Sequence, residues 1–93
     1  MEQEHVVVTV MGQDRVGIVA GISQVLAECQ ANIIDISQTI LKNEIFAMIL
    51  LIDIANSSKK LTEIQEDLAT VGKTLEVNVV TQHEDIFRYM HRI

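Results

Sequence analysis

The sequence predicts an α+β sandwich, with two helices covering one face of a four-stranded antiparallel sheet. Two observations carry this expectation. Apolar residues follow a strand-like pattern in four stretches and recur every three to four residues in two others, in the order βαββαβ. A faint internal repeat at an offset of 42 residues matches Ile22, Leu26, Ala27, Ile33 and Thr39 with Ile64, Leu68, Ala69, Leu75 and Thr81, as two β-α-β halves would. Right-handed crossovers then place both helices on one face and give the strand order 4-1-3-2, the ferredoxin-like arrangement.

Taken in order, "HVVVTVM" (residues 5–11) is β-branched and is followed by Gly12, which ends a first strand. Ile18, Ile22, Val25, Leu26 and Cys29 form the stripe of a first amphipathic helix. "ANIIDISQTIL" alternates, with Ile34, Ile36 and Ile40 on one face and Asp35, Ser37 and Thr39 on the other. It reads as a half-buried strand near a sheet edge. "KNE" at 42–44 is a tight turn in which Asn43 can take positive φ. "IFAMILLIDI" is apolar almost throughout and suits a central strand.

"NSSKK" offers caps for a second helix, whose stripe is Leu61, Ile64, Leu68 and Val71. Gly72 stands where a helix C-cap belongs. "TLEVNVVTQ" is the fourth strand, with Leu75, Val77 and Val79 inward. The tail "HEDIFRYMHRI" has acids first and bases last, which suits a short terminal helix aligned with its dipole. The expected division is a domain over 5–82 and a helical tail over 83–93. The sheet face away from the helices needs a cover, most simply a second copy or the tail. Phe87 and Tyr89, two of three aromatics, suit packing across a partner subunit or back over the chain's own sheet.

Composition excludes several function classes. Ninety-three residues make one domain; the chain is 48% hydrophobic with only three aromatics, so its core is expected to be almost wholly aliphatic. A net charge of −6 and seven scattered basic residues argue against direct nucleic-acid binding. No apolar stretch approaches the roughly 18–20 residues a membrane span needs. The acidic N-terminus does not resemble a secretory signal, and the lone Cys29 cannot form an internal disulfide. Both favour a reducing cytoplasm.

"MGQDRVGIVAGIS" (11–23) holds three of four glycines between a strand and a helix. It is not a phosphate-binding loop, because Ile18 and Val19 stand where a P-loop needs Lys and Ser/Thr. Asp14 can cap the free N–H groups of the helix. Gly17 lacks a Cβ, so those N–H groups can also meet a ligand carboxylate. Gly21, one turn on, flattens the helix for close packing. The plainer alternative makes Asp14 an ordinary N-cap and both glycines packing residues.

"GQDRVGIVAGISQVLAECQANIIDISQTI" resembles the start of an ACT domain, whose usual pattern is Gly-x-Asp-Arg-Pro-Gly-Leu/Ile, a helix, then Asn-Ile and an alternating strand. Gly12, Asp14, Arg15, Gly17, Ile18, Asn32 and Ile33 are in register, and the likeness spans about residues 5–82. It is most similar to small stand-alone ACT proteins and to the ACT repeats of the glycine cleavage system repressor. The resemblance implies a homodimer with a small effector, often an amino acid, at the seam, and signalling through protein contacts. It nominates Asp14, Val16, Gly17 and Ile18 on one side and Asn32, Ile33, Asp35 and Ser37 on the other. A zwitterion would suit that pair, with its carboxylate near helix N–H groups and its ammonium near Asp14. Val16 replaces the usual proline, which loosens the first helical turn. The alternative is a ligand-free interaction module.

No catalytic or metal set emerges. Cys29 lies mid-stripe as a small hydrophobe, and His5, His83 and His91 have no evident sequence partner. Asp14 and Asp35 could hold a hard cation only with added carbonyls. Glu63, Glu66 and Asp67 lie off the apolar stripe, as a solvated face would. The sequence thus points to no enzyme, cofactor or metal.

Overall fold

The computed structural model describes residues 4–13 and 17–86, apart from the side chain of Asn43. Its elements are β1 (His5–Gln13), α1 (Ile18–Glu28), β2 (Asn32–Leu41), β3 (Ile45–Asp53), α2 (Leu61–Leu75) and β4 (Val77–His83), with a 3-10 turn at Lys42–Glu44. The antiparallel sheet runs β2-β3-β1-β4, which is the expected order. Residues 84–86 are helical, as expected for the start of the tail; the rest of that tail lies outside the described residues.

Strand periodicity decides which side chains meet the helices. Val6, Val8 and Val10 of β1 and Phe46, Met48, Leu50 and Ile52 of β3 point to one face and are buried. Onto them pack Ile18, Ile22 and Leu26 of α1, Cys29 just after it, and Ile64 and Leu68 of α2. Ile22/Ile64 and Leu26/Leu68, paired by the internal repeat, are all fully buried. The pair Ile33/Leu75 does not match, because Ile33 lies in β2 whereas Leu75 lies in α2.

Several local expectations are corrected. Gly12 does not end β1, which continues to Gln13. A Cβ on Gly12 would lie 2.8 Å from Val77 Cγ1, so this glycine lets β4 begin close alongside. The left-handed residue is instead Gly17, the N-cap of α1, at φ 92°. Between β2 and β3 the left-handed residue is Glu44. Gly72 is not a C-cap either. The helix runs three residues further, takes Leu75 from the expected fourth strand, and ends at Glu76 with φ 59°. Gly72 is buried in α2 because β4 passes directly against it.

Of the cap candidates in "NSSKK", Lys60 is the N-cap of α2 and Ser57 and Ser58 are not. Ser58 donates from N–H and Oγ to the Cys29 carbonyl at 2.9 and 3.2 Å, tying the β3–α2 loop to the end of α1. The cap is Lys60, whose N–H donates to Glu63 Oε1 at 3.0 Å. Asp67 is not simply solvated: Lys59 Nζ donates to it at 2.5 Å. β2 is the expected edge strand but is not half-buried. A register shift between Ile33 and Asp35 interrupts the ladder. Ile36 and Ile40 then face the helix side beyond the reach of α1, and Ile40 is 60% exposed.

Candidate functional site

The turn into α1 is built from the backbone. The first helical hydrogen bond is Gly21 N–H to the Gly17 carbonyl at 2.8 Å, so the N–H groups of Ile18, Val19 and Ala20 precede it and have no partner within the helix. The Ile18 side chain is in the core, so this residue offers a ligand only its backbone. Asp14 and Val16, both nominated from the sequence, lie outside the described residues.

The second nominated group is on β2. Asn32 is exposed opposite Asp53, and Ile33 is half-buried opposite Ile52. Asp35 and Ser37 lie opposite Leu51 and Ile49, on the face away from the helices. Asp35 Oδ1 accepts the Ile36 N–H at 2.9 Å. Among the described residues, Gly17 and Asn32 stand at opposite ends of the sheet, with Ser37 midway. Asn32 aligns through Asp53 with His5 at the start of β1, while Gly17 follows the end of β1. Eight strand residues, about 26 Å, separate those ends.

Near the Gly17 end the sheet carries a hollow of about 540 Å³ lined by Met11, Gly12, Gln13, Ile45 and Asn78. A second, of about 390 Å³, lies between β2 and β3 at Gln38, Thr39, Ile40 and Phe46. Sequence reasoning missed both, since each depends on strand register. The exposed Ile40 was the available signal for the second.

The polar clusters elsewhere are structural in character. Cys29 Sγ donates to Asp67 Oδ2 at 3.8 Å. Burial pushes the Cys29 thiol up, opposed by the nearby Lys59 charge and aided by Asp67. The hydrogen bond and charge of Asp67 hold the Lys59 ammonium above the usual lysine range. Asp53 Oδ1 accepts N–H groups of Ala55 and Glu4 at 3.0 and 3.1 Å, and these hold its carboxyl below the usual range. His5 Nδ1 lies 3.0 Å from Glu84 Oε2. Among the described residues, no group of three or more His, Cys, Asp or Glu is placed to hold a metal ion. No described helix is long and apolar enough to cross a membrane.

Residues 4–82 match the ACT domain family. The chain belongs to that family. Among its relatives, the UPF0237 protein of Methanocaldococcus jannaschii is 60% identical over 89 residues, covering 96% of this chain and 98% of that protein. The solved ACT domain protein from Streptococcus pneumoniae is 36% identical with a TM-score of 0.79, covering 92% of this chain and 96% of that one. A protein described as a glycine cleavage system transcriptional repressor shares the ACT fold at 23% identity and a TM-score of 0.75, with 89% of this chain and 47% of that one covered. The ACT domain is a regulatory, ligand-binding class of domain, and the βαββαβ sandwich described above is its architecture.

Proposed function

We propose that this ACT domain is a non-catalytic cytoplasmic sensor that binds a small metabolite, an amino acid by class, at the seam of a homodimer and signals through protein contacts. One observation carries the reading. Asn32 and the Gly17 turn stand at opposite ends of a single sheet, with Ser37 midway along it, so a second copy is the simplest way to bring the two groups together. The edge strand suits that juxtaposition: among the described residues no strand pairs with the outer side of β2, and Ile34, Ile36, Ile40 and Leu41 are exposed along it. An unpaired apolar edge is a template for another chain. The first-turn amides of α1, which have no partner within the helix, suit a carboxylate, and Asp35 or Asp14 suits an ammonium.

Binding acts here by mass action, favouring whichever arrangement of copies completes the seam. The test is thermal unfolding of the protein against the twenty amino acids, with sedimentation in parallel. A dimer is expected. At one hundred times its dissociation constant, a ligand adds about 2.7 kcal/mol, which raises the midpoint by about 10 °C or more. A monomer unmoved by the whole panel overturns the reading. A dimer that responds to none supports a second one, a ligand-free interaction module, favoured by the same bare edge.

A further inference from the structure

We propose that the helix-free face of the sheet is a second contact between copies of this chain, on which two edge-paired dimers stack into a tetramer. The inference rests on the β2 seam proposed above and adds a separate surface to it. Strand parity defines that surface. Val6, Val8 and Val10 face the helices, so Thr9, Met11 and Gln13 face the other way. The ladder sets Val80 and Ile49 beside Thr9, Asn78 and Ala47 beside Met11, and Ile45 beside Gln13. Leu41 of β2 lies next to Ile45. Met11, Leu41, Ile45, Ile49 and Val80 are each between 38% and 45% exposed, so this half of the face is a contiguous apolar patch without a cover.

Two features point to an identical copy as the occupant. The first is charge. With a net charge of −6, copies of this chain repel one another over most of their surface. Between the row of Thr9 and the row of Gln13, no side chain on this face is charged; Asp35 and Asp53 share the face but lie toward its other end. A second copy can therefore close on the patch without burying an unpaired charge. The second feature is relief. Met11 stands beside the hollow of about 540 Å³ that it lines with Gln13, Ile45 and Asn78 over the Gly12 backbone. A two-fold axis in the plane of the contact puts the same patch on both sides, so the unbranched methionine of each copy can fill the hollow of the other.

Symmetry and area favour the stacking of dimers over that of single copies. A strand pairs antiparallel with its own copy about a two-fold axis normal to the sheet, so both helix layers lie on one side and both helix-free faces on the other. The same pairing sets the Asn32 end of one β2 beside the Leu41 end of the other, the end at which Gly17 follows β1. Each exposed patch measures about 19 Å across the four strands and about 20 Å along them, or about 380 Å². One patch on another buries about 800 Å² in total, short of the roughly 1,000 Å² of a specific contact. Two edge-paired dimers bring two such pairs together and bury about 1,500 Å², within the range of a standard interface. Stacking is therefore strong only once the edges have paired.

Two measurements on the full-length chain test the proposal. The first is sedimentation velocity from micromolar to millimolar concentration, in which a dimer is expected to give way to a tetramer. Met11→Lys and Ile49→Lys each put a charge at an exposed position of the patch, and unchanged circular dichroism checks that they fold. Each is expected to weaken the dimer–tetramer step by roughly tenfold or more. Association equal to the parent's in both variants overturns the proposal. The second measurement mixes chains carrying carbon-13 methionine methyl groups with unlabelled chains and records isotope-filtered NOEs. The Met11 methyl signal, assigned by its loss in Met11→Leu, is expected to show cross-peaks to isoleucine protons of the unlabelled copy. Their absence at the highest concentration overturns the proposal. Should Ile40→Lys leave the micromolar dimer intact while those cross-peaks persist, the face contact stands and the β2 seam is the reading that fails.

Discussion

Gly72 of α2 stands so close to β4 that a Cβ on it would lie 2.8 Å from Val79 Cγ2 and 3.1 Å from the Val77 carbonyl oxygen. The glycine sets the distance between helix and strand, and Gln65 Nε2 locks the same pair by donating to the Thr81 carbonyl at 2.8 Å. Gly72→Ala would gain about 1 kcal/mol of helix propensity but force the layers apart at a cost of about 1–3 kcal/mol. Urea unfolding should show net destabilisation. Gly21→Ala is the contrasting case, since its Cβ would meet the Leu75 Cδ1 tip at 3.1 Å, which can yield. That variant should be within about 1 kcal/mol of the parent, on the stabilising side.

At Gly17 the constraint is conformational rather than steric. A Cβ there would meet nothing within 4 Å, yet φ is +92°. Gly17→Ala should cost about 1–2 kcal/mol in urea unfolding, and Gly17→Asn less, because asparagine tolerates the left-handed region better. Equal stability of the alanine variant would contradict the geometry.

The bare edge of β2 yields a prediction about assembly. Ile36→Lys and Ile40→Lys replace exposed residues, so each should change the unfolding free energy of the isolated monomer by no more than about 0.5 kcal/mol. Charge on an edge strand opposes pairing with another chain. Sedimentation velocity should therefore show a shift from dimer toward monomer. A dimer as tight as the parent would move the interface elsewhere.

Acid sensitivity is expected from Asp53. The N–H groups of Ala55 and Glu4 hold its folded carboxyl below the ordinary value of 3.8. A depressed carboxyl contributes stability that is complete above the unfolded value and is lost as pH falls through the folded one. Denaturation between pH 5 and pH 2, scales set by a carboxylate near about 3.9, should be less steep for Asp53→Asn than for the parent.

Cys29 should be inert while the chain is folded. It is buried, and its thiol is pushed up chiefly by that burial. The thiolate is the reactive form, so 5,5′-dithiobis(2-nitrobenzoate) at pH 8 should release almost no colour until denaturant is added, then one equivalent. Prompt native reaction would place the sulfur at the surface.

Much of the fold was legible in local pattern. The stripes Ile18–Ile22–Leu26 and Ile64–Leu68 face the core as their spacing requires, and the four strands take the expected order. The glycines were legible in number but not in role. Gly12 and Gly72 read as a strand end and a helix cap, because a sequence shows the missing Cβ without the distant residue that needs its space. Here that residue is Val77 for one and Val79 for the other. Ile34, Ile36 and Ile40 alternate as buried residues would, but the shift between Ile33 and Asp35 and the width of the helix layer leave them at the surface. The two halves of the nominated site were each visible as motifs, whereas the placement of Gly17 and Asn32 at opposite ends of one sheet was not.

By itself, the sequence determined the succession of elements, the inward face of each helix and the topology that follows. These depend on periods of 2 and 3.6 residues and on handedness, which neighbouring residues impose on one another. Tertiary structure alone decided how closely α2 approaches β4 and where the β2 ladder slips. Each of those results from side chains far apart in the chain competing for the same space, and no local pattern records who the neighbour will be.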